Sequence, residues 1–265
     1  MTKNYSTLHL ATDPRGVTRV TLSRPESLNA FDEVMISELT EVFSRLAADA
    51  ATRVVVLAAQ GRAFCAGADI GWMERASKNA EPENLADAQR FAGMMQAIYE
   101  CPKPVIARVQ GSAYGGGVGL CCACDIVVAA SQARFAISEA KFGILPSVIG
   151  PYLNNAVGKR HAARLALTAE LIDAQLAEKI GLVHEVCEAD SLDAVIERFV
   201  AQMLANGPHA LAEIKTLFHH LAVGPVDASV RALTATTIAR VRATEEAKEG
   251  FTAFLDKRPA AWAAQ

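Results

Sequence analysis

The stretch PVIARVQGSAYGGGVGLCCACD, residues 104–125, runs from an apolar, β-branched segment into a cluster of glycines and then into small uncharged residues. Residues 104–110 read as a buried strand, because the run is short, apolar and bounded by turn signals. Gly111, Gly115, Gly116, Gly117 and Gly119 follow, with no charged side chain between Gly111 and Asp125. Strand, glycine-rich turn and helix in succession is the signature of an α/β core.

The same alternation recurs on both sides. Upstream, residues 53–58 (RVVVLA) form a second buried-strand pattern that leads into Ala63-Phe64-Cys65-Ala66-Gly67-Ala68-Asp69. Downstream, residues 126–130 and 133–136 again look extended. Near the N-terminus, extended segments at residues 8–10 and 17–22 flank Asp13-Pro14-Arg15-Gly16, a turn signal that predicts a hairpin. Met35, Leu39, Val42 or Phe43, and Leu46 recur at helical spacing, with Asn29 or Asp32 available as N-cap. A polar stretch at residues 78–84 reads as a loop, before a helix carrying Phe91, Met94, Met95 and Ile98 on one face. From about Ala189 onward the pattern is helical, through Leu192, Val195, Ile196 and Phe199, then Leu211, Ile214 and Leu217.

Composition narrows the function classes. The chain has 265 residues, about half of them hydrophobic, which suits a sizeable core rather than disorder. A formal net charge of −3 gives no broad electrostatic footprint for nucleic acid. No apolar run approaches the roughly 20 residues of a spanning helix. The first residues, MTKNYSTLHL, lack a secretory pattern, so a cytoplasmic protein is expected. Of six cysteines, three crowd into residues 121–124, a spacing that suits neither a zinc site nor a disulfide framework; they read as buried thiols.

Two glycine-rich turns at strand ends leave backbone N–H groups unpaired at a helix N-terminus, where negative charge is favoured. A phosphate cradle fits poorly: no Lys-Ser or Lys-Thr pair follows the triplet, and Leu120 stands where GxGxxG needs its last glycine. The glycines could serve only tight helix–sheet packing. Alternatively, one N–H from each turn could hold a single oxygen that gains charge during a reaction.

Phe64-Cys65-Ala66-Gly67-Ala68-Asp69, Gly115-Gly116-Gly117, Cys124-Asp125 and Ser138-Glu139 through Pro146 resemble, in order, the signatures of the enoyl-CoA hydratase/isomerase (crotonase) superfamily. The resemblance extends from Leu22-Ser23-Arg24-Pro25 and Asn29-Ala30 to Phe254-Leu255-Asp256-Lys257-Arg258-Pro259, nearly the whole chain. It implies a spiral of ββα repeats over residues 1–190 and a C-terminal helical, trimerising region over 191–265, assembled as trimers or pairs of trimers. It also implies an acyl-CoA thioester whose oxygen sits between the N–H groups of Ala68 and Gly116. No metal or redox cofactor is implied, coenzyme A being part of the substrate.

Hydratases of the superfamily use two glutamates. Glu139 matches the second, while Gly119 occupies the position of the first. A lone acid suits a double-bond isomerase, and an inactive acyl-CoA-binding scaffold is a further alternative. However, residues 65–73, 117–120 and 146–152 are similar to bacterial hydratases of branched, carboxylated acyl-CoAs, of the methylglutaconyl-CoA and isohexenylglutaconyl-CoA kind. Hydration is therefore the favoured reading, with the substrate's own carboxylate positioning water in the space left by Gly119. Phe135, Phe142 and Ile144 are expected to wall Glu139 and raise its pKa. Ala66, Asp69, Ile70, Gly115 and Pro146 are expected at the substrate, with Trp72, Met73 and Tyr152 lining the acyl pocket and Lys257 or Arg258 meeting CoA phosphate. Asp69 also reads as a helix cap, and Asp125 as structural. Arg75, Lys141, Lys159, Arg160 and His161 are candidate partners for a substrate carboxylate.

Overall fold

The computed structural model describes residues 4–221 and 223–263. β1 (Leu8–Thr12) and β2 (Val17–Leu22) form the expected antiparallel hairpin, closed by Asp13, whose carboxylate accepts the Arg15 and Val17 N–H groups. α1 (Glu33–Ala48) starts at Asp32, which accepts from Val34 and Met35. Of the two cap candidates, Asp32 has the role. Asn29 is buried with φ of 55° and ties the chain to the Gln60 and Ala63 carbonyls.

Three strand pairs then repeat the same path. β3 (Val54–Ala59) leads to β4 (Ala63–Cys65), then to α2 (Ile70–Ala76) and α3 (Glu81–Tyr99). β5 (Val105–Val109) leads to β6 (Ser112–Tyr114), then to α4 (Gly116–Ala123). β7 (Ile126–Ala130) leads to β8 (Arg134–Ala136), then, through a short 3-10 turn at Glu139–Phe142, to α5 (Gly150–Thr168). With β9 (Ile172–Asp173) and β10 (Glu185–Cys187) at the edges, the first strand of each pair joins a six-stranded sheet ordered β1-β2-β3-β5-β7-β10, and the second joins a four-stranded sheet ordered β4-β6-β8-β9. Within each sheet these strands are parallel, as helical crossovers require. This is the α/β spiral of ββα repeats that the resemblance implies. β9 (Ile172–Asp173), α6 (Ala174–Lys179) and β10 (Glu185–Cys187) complete both sheets.

Period-two alternation assigns the core. Val55, Leu57, Ala107 and Val127 face α1, α3 and α4, meeting Leu39, Phe43, Met94, Met95 and Ile98. Val54, Val56, Ile106 and Val128 face the other way, onto α7 (Leu192–Leu204), where Leu192, Ile196 and Val200 form one stripe at four-residue spacing. Among the described residues, α8 (Pro208–His220), α9 (Ala228–Arg242) and α10 (Glu245–Leu255) follow with no further strand. α8 is tied to the core by Lys215, whose Nζ lies 2.6 Å from Asp125 Oδ2 and 3.0 Å from the Lys103 carbonyl. Asp125 also accepts the Val105 N–H at 2.7 Å, so its work is structural.

One local expectation changes, and one helix was not foreseen. The polar stretch 78–84 is a loop only up to Ala80; α3 begins at Glu81, with Glu83 reaching back to the Ala80 N–H at 2.9 Å. Acidic residues are favoured in a first helical turn, so polarity there marks a helix start. α5 has no clear pattern in the sequence, because Gly150-Pro151 and Gly158 punctuate it; Pro151 sits in its first turn and Gly158, at φ of 72°, marks a kink. No helix among the described residues is long and apolar enough to cross a membrane.

Candidate active site

The spiral stacks its β-to-helix turns side by side, and a cavity of about 670 Å³ opens against them. The turn after β4 contributes Ala66, Gly67, Ala68, Asp69 and Ile70; the turn after β6 contributes Tyr114 and Gly115; the 3-10 turn after β8 contributes Glu139, Lys141 and Phe142. These segments are far apart in sequence but successive in the repeat, which is why one cavity touches them all.

Gly67 brings the first two turns together. Its φ is +90°, and a Cβ placed on it would stand 2.8 Å from the Tyr114 carbonyl oxygen and 3.5 Å from the Gly116 nitrogen. Only glycine permits both the backbone angle and the approach. The Gly67 carbonyl accepts the Phe31 N–H at 2.8 Å, and the Asp69 N–H donates to the Phe31 carbonyl at 2.9 Å, so Ala68 is clamped on both sides. Among the described residues, neither the Ala68 N–H nor the Gly116 N–H donates to a protein acceptor. Gly116 is the first residue of α4, and its N–H is one of the donors that a helix start leaves unpaired.

Glu139 stands against the second turn. A Cβ on Gly115 would come within 3.0 Å of Glu139 Oε1, so the glycine, at φ of 50°, makes room for the carboxyl. Burial pushes the Glu139 pKa above the ordinary carboxylate value, partly offset by its own and Ser138's backbone N–H. Its Oε2 is buried without a hydrogen-bond partner among the described residues. A buried, unpartnered carboxyl oxygen on a cavity-lining residue is a costly arrangement for stability, and such groups concentrate at functional sites. Phe142 and Ile144 line the cavity near it, as expected, whereas Phe135 is buried in the core.

Asp69 lines the cavity and caps α2, accepting the Trp72 N–H at 3.1 Å. Burial works against its charge, but the Trp72 N–H and the Arg24 guanidinium hold its pKa below the ordinary range. Ile70 lies at the rim, 81% exposed.

Other expected positions fall outside the cavity. Gly119 leaves no space for water or a substrate carboxylate: a Cβ there would meet Ile149 Cγ2 at 2.3 Å and Cβ at 2.9 Å, so Ile149 already fills that position. Trp72 turns to Phe31, 6.2 Å between ring centroids, rather than into the cavity. Tyr152 stacks edge-on against Tyr99 at 5.2 Å, in a separate groove between α3 and α5. Pro146 and Lys257 are not among the cavity-lining residues, Lys257 following the end of α10; Met73 is. Of the cationic candidates Lys141 alone lines the cavity, while Arg75 is paired with Glu33 at 2.7 Å.

Sequence reasoning missed Glu26, Ser27 and Leu28 on one wall and Leu171 on another. Glu26 and Ser27 sit in the 3-10 turn Pro25–Ser27 and Leu28 caps its end, so the helix-start proline was the available signal. Leu171 had none. The cysteines are all free, and burial pushes the Cys65 and Cys122 thiols up to about 12, so they act as packing groups.

A pair of unpaired main-chain donors beside a buried carboxyl is the constellation of enzymes that polarise a carbonyl and move a proton next to it. The chain belongs to the enoyl-CoA hydratase/isomerase family, whose profile matches residues 12–265. It is 32% identical over 241 residues to the crotonyl-CoA hydratase of Syntrophomonas wolfei, covering 90% of this chain and 91% of that one. The crystal structure of an enoyl-CoA hydratase from Shewanella pealeana matches it with a TM-score of 0.93 at 40% identity, over 97% of this chain and 96% of that one. An enoyl-CoA hydratase from Mycobacterium smegmatis matches with a TM-score of 0.89 at 37% identity, over 97% and 98%.

Proposed function

We propose that the protein is an enoyl-CoA hydratase-type hydro-lyase acting through the Ala68 and Gly116 N–H groups and Glu139. The observation that carries the reading is the approach of the Gly67 turn to Gly116, with Glu139 against Gly115 in the same cavity. The thioester oxygen takes the two N–H groups. Water then bonds to C3 and passes a proton to the Glu139 carboxylate, while the C2–C3 electron pair moves through C2 onto the thioester oxygen. C2 afterwards takes a proton from the Glu139 carboxylic acid, restoring the carbonyl. Donors aimed at an oxygen that becomes more negative bind the transition state better than the ground state. A raised pKa lets one carboxyl both accept and return a proton near neutral pH.

The finer reading is a branched acyl chain bearing its own carboxylate. What supports it is Lys141, the only cationic residue among those lining the cavity, whose ammonium has no ion-pair or hydrogen-bond partner among the described residues. With Gly119 closed by Ile149, the Lys141 side is where a second negative charge finds a counterpart. The test is a panel of paired enoyl-CoAs, with and without a terminal carboxylate, assayed by mass for the gain of one water. Wild type is expected to prefer the carboxylated member, and Lys141→Met to lose about tenfold in kcat/KM on it alone, the size of one solvent-weakened charged hydrogen bond. A shifted double bond at constant mass identifies an isomerase, and binding without reaction a scaffold. An equal loss on both substrates moves Lys141 to the CoA portion.

Self-association as a trimer or a pair of trimers belongs to the same proposal. What supports it is the exposure of four large apolar side chains on the C-terminal helices, Phe218 on α8 and Phe251, Phe254 and Leu255 on α10, which a subunit contact would cover. Light scattering is expected to give three or six times the chain mass of 28.2 kDa; the mass of a single chain would remove this part of the reading.

A further inference from the structure

We infer that Arg24 is a positioning residue for the Ala68 N–H, acting through two hydrogen-bonded peptide units; the inference rests on the reading of Ala68 and Gly116 as the oxygen-binding pair. Arg24 Nη1 donates to the Ala30 carbonyl at 2.6 Å. The other end of that peptide unit is the Phe31 N–H, which donates to the Gly67 carbonyl at 2.8 Å. The other end of the Gly67 carbonyl's peptide unit is the Ala68 N–H itself. A trans peptide points its N–H opposite to its C=O, so fixing the Gly67 oxygen on Phe31 fixes the direction of the Ala68 donor. Chains of hydrogen bonds also polarise one another, and this one begins at a permanent positive charge. Each link draws electron density toward the guanidinium and leaves the terminal N–H a stronger donor.

A second grip acts from the far side of Ala68. Arg24 Nη2 lies 3.2 Å from Asp69 Oδ2, and Asp69 is held by its own N–H to the Phe31 carbonyl and by capping α2. Nη1 also lies 3.1 Å from Asp32 Oδ2, which caps α1. One planar fork thus joins the cap of α1, the cap of α2 and the carbonyl that heads the chain. All three side chains are about four-fifths buried, so the contacts are little screened. A lysine cannot span these three partners at once, since its ammonium is a point donor.

The experiment reads the carbonyl directly. A thioester labelled with ¹³C at its carbonyl is bound to the protein, and its infrared stretch is compared with that in water. The wild type is expected to lower the frequency. Arg24→Met is expected to lose most of that lowering, with kcat down about 10- to 100-fold and KM within about threefold, the pattern of a misdirected rather than a deleted donor. Arg24→Lys retains the charge and one contact, so it is expected to recover part of both; it also serves as the test if Arg24→Met does not fold. A full downshift persisting in whichever variants fold overturns the inference and leaves the donor pair standing. No downshift in the wild type overturns the donor pair itself. A fall in thermal stability with the downshift and kcat intact assigns Arg24 to fold maintenance alone, which also overturns the inference.

Discussion

Glu139→Gln is expected to lower enoyl-CoA turnover by about 10²- to 10⁴-fold while leaving affinity for a saturated acyl-CoA nearly unchanged. Glutamine keeps the shape beside Gly115, where the carboxyl oxygen approaches the turn, and removes only the ability to exchange a proton. The same substitution has a consequence for stability that a surface glutamate would not show. Burial raises the Glu139 pKa above its ordinary 4.5, and Oε2 has no partner among the described residues. Between 4.5 and the raised value the folded chain keeps a proton that the unfolded chain has released, so stability falls as pH rises through that window and stays lower above it. Below the ordinary value both states are protonated and nothing is lost. The glutamine side chain does not titrate. The melting temperature of the variant minus that of the wild type is therefore expected to be larger at about pH 8 than at about pH 4. Undiminished turnover would remove Glu139 from the reaction, and a difference that does not grow with pH would contradict its burial as an ionised group.

The two parts of this expectation show what stability and activity each require of the cavity. A carboxyl with a free oxygen costs folding energy because no protein donor meets it. On the proposed mechanism, the lack of a protein donor at that oxygen is what leaves the carboxyl free to exchange a proton once substrate occupies the cavity. The glycines express the same compromise in the backbone, since each gives up side-chain packing to let two segments approach.

Much of this was legible in the chain because it depends on local chemistry. Gly67, Gly115 and Gly116 stand out as glycines at strand ends and Asp69 falls where a turn meets a helix start, whereas Glu139 is singled out by the resemblance to the family's motif. The uninterrupted apolar run at 54–57 dictates a strand buried on both faces, and the two faces are filled as that pattern requires. What was not legible depends on which distant residue fills a gap. Gly119 looks like open space in sequence, but Ile149, thirty residues on, occupies it. Trp72 looks like a pocket aromatic and instead joins Phe31, itself in contact with Phe91 at 5.0 Å. Tyr152 rides on α5, a helix hidden by its own proline and glycines. Arg24 carries no sign of its role, because its partners are a carbonyl six residues on and a carboxylate at position 69.

Gly67→Ala is expected to reduce kcat by about 10²- to 10³-fold, the range found on removing one oxyanion donor. Two costs arise at this position and they can be separated. An L-residue at φ of +90° is strained by about 1–2 kcal/mol, which affects stability wherever it occurs. In addition, the new Cβ would stand 2.8 Å from the Tyr114 carbonyl oxygen, and that neighbour is main chain with no rotamer to swing away. The turns must therefore part. Because the strained contact lies beside Gly116 and the substituted residue shares a peptide unit with the Ala68 N–H, the displacement falls on the distance between the two donors. Gly158→Ala separates the effects, since Gly158 also has a positive φ, of 72°, with nothing within 4 Å of its added Cβ. That variant is expected to lose a similar amount of backbone stability and to keep its turnover. If Gly67→Ala folds and turns over like Gly158→Ala, the approach of the two turns has no part in catalysis, and the carbonyl must be held elsewhere.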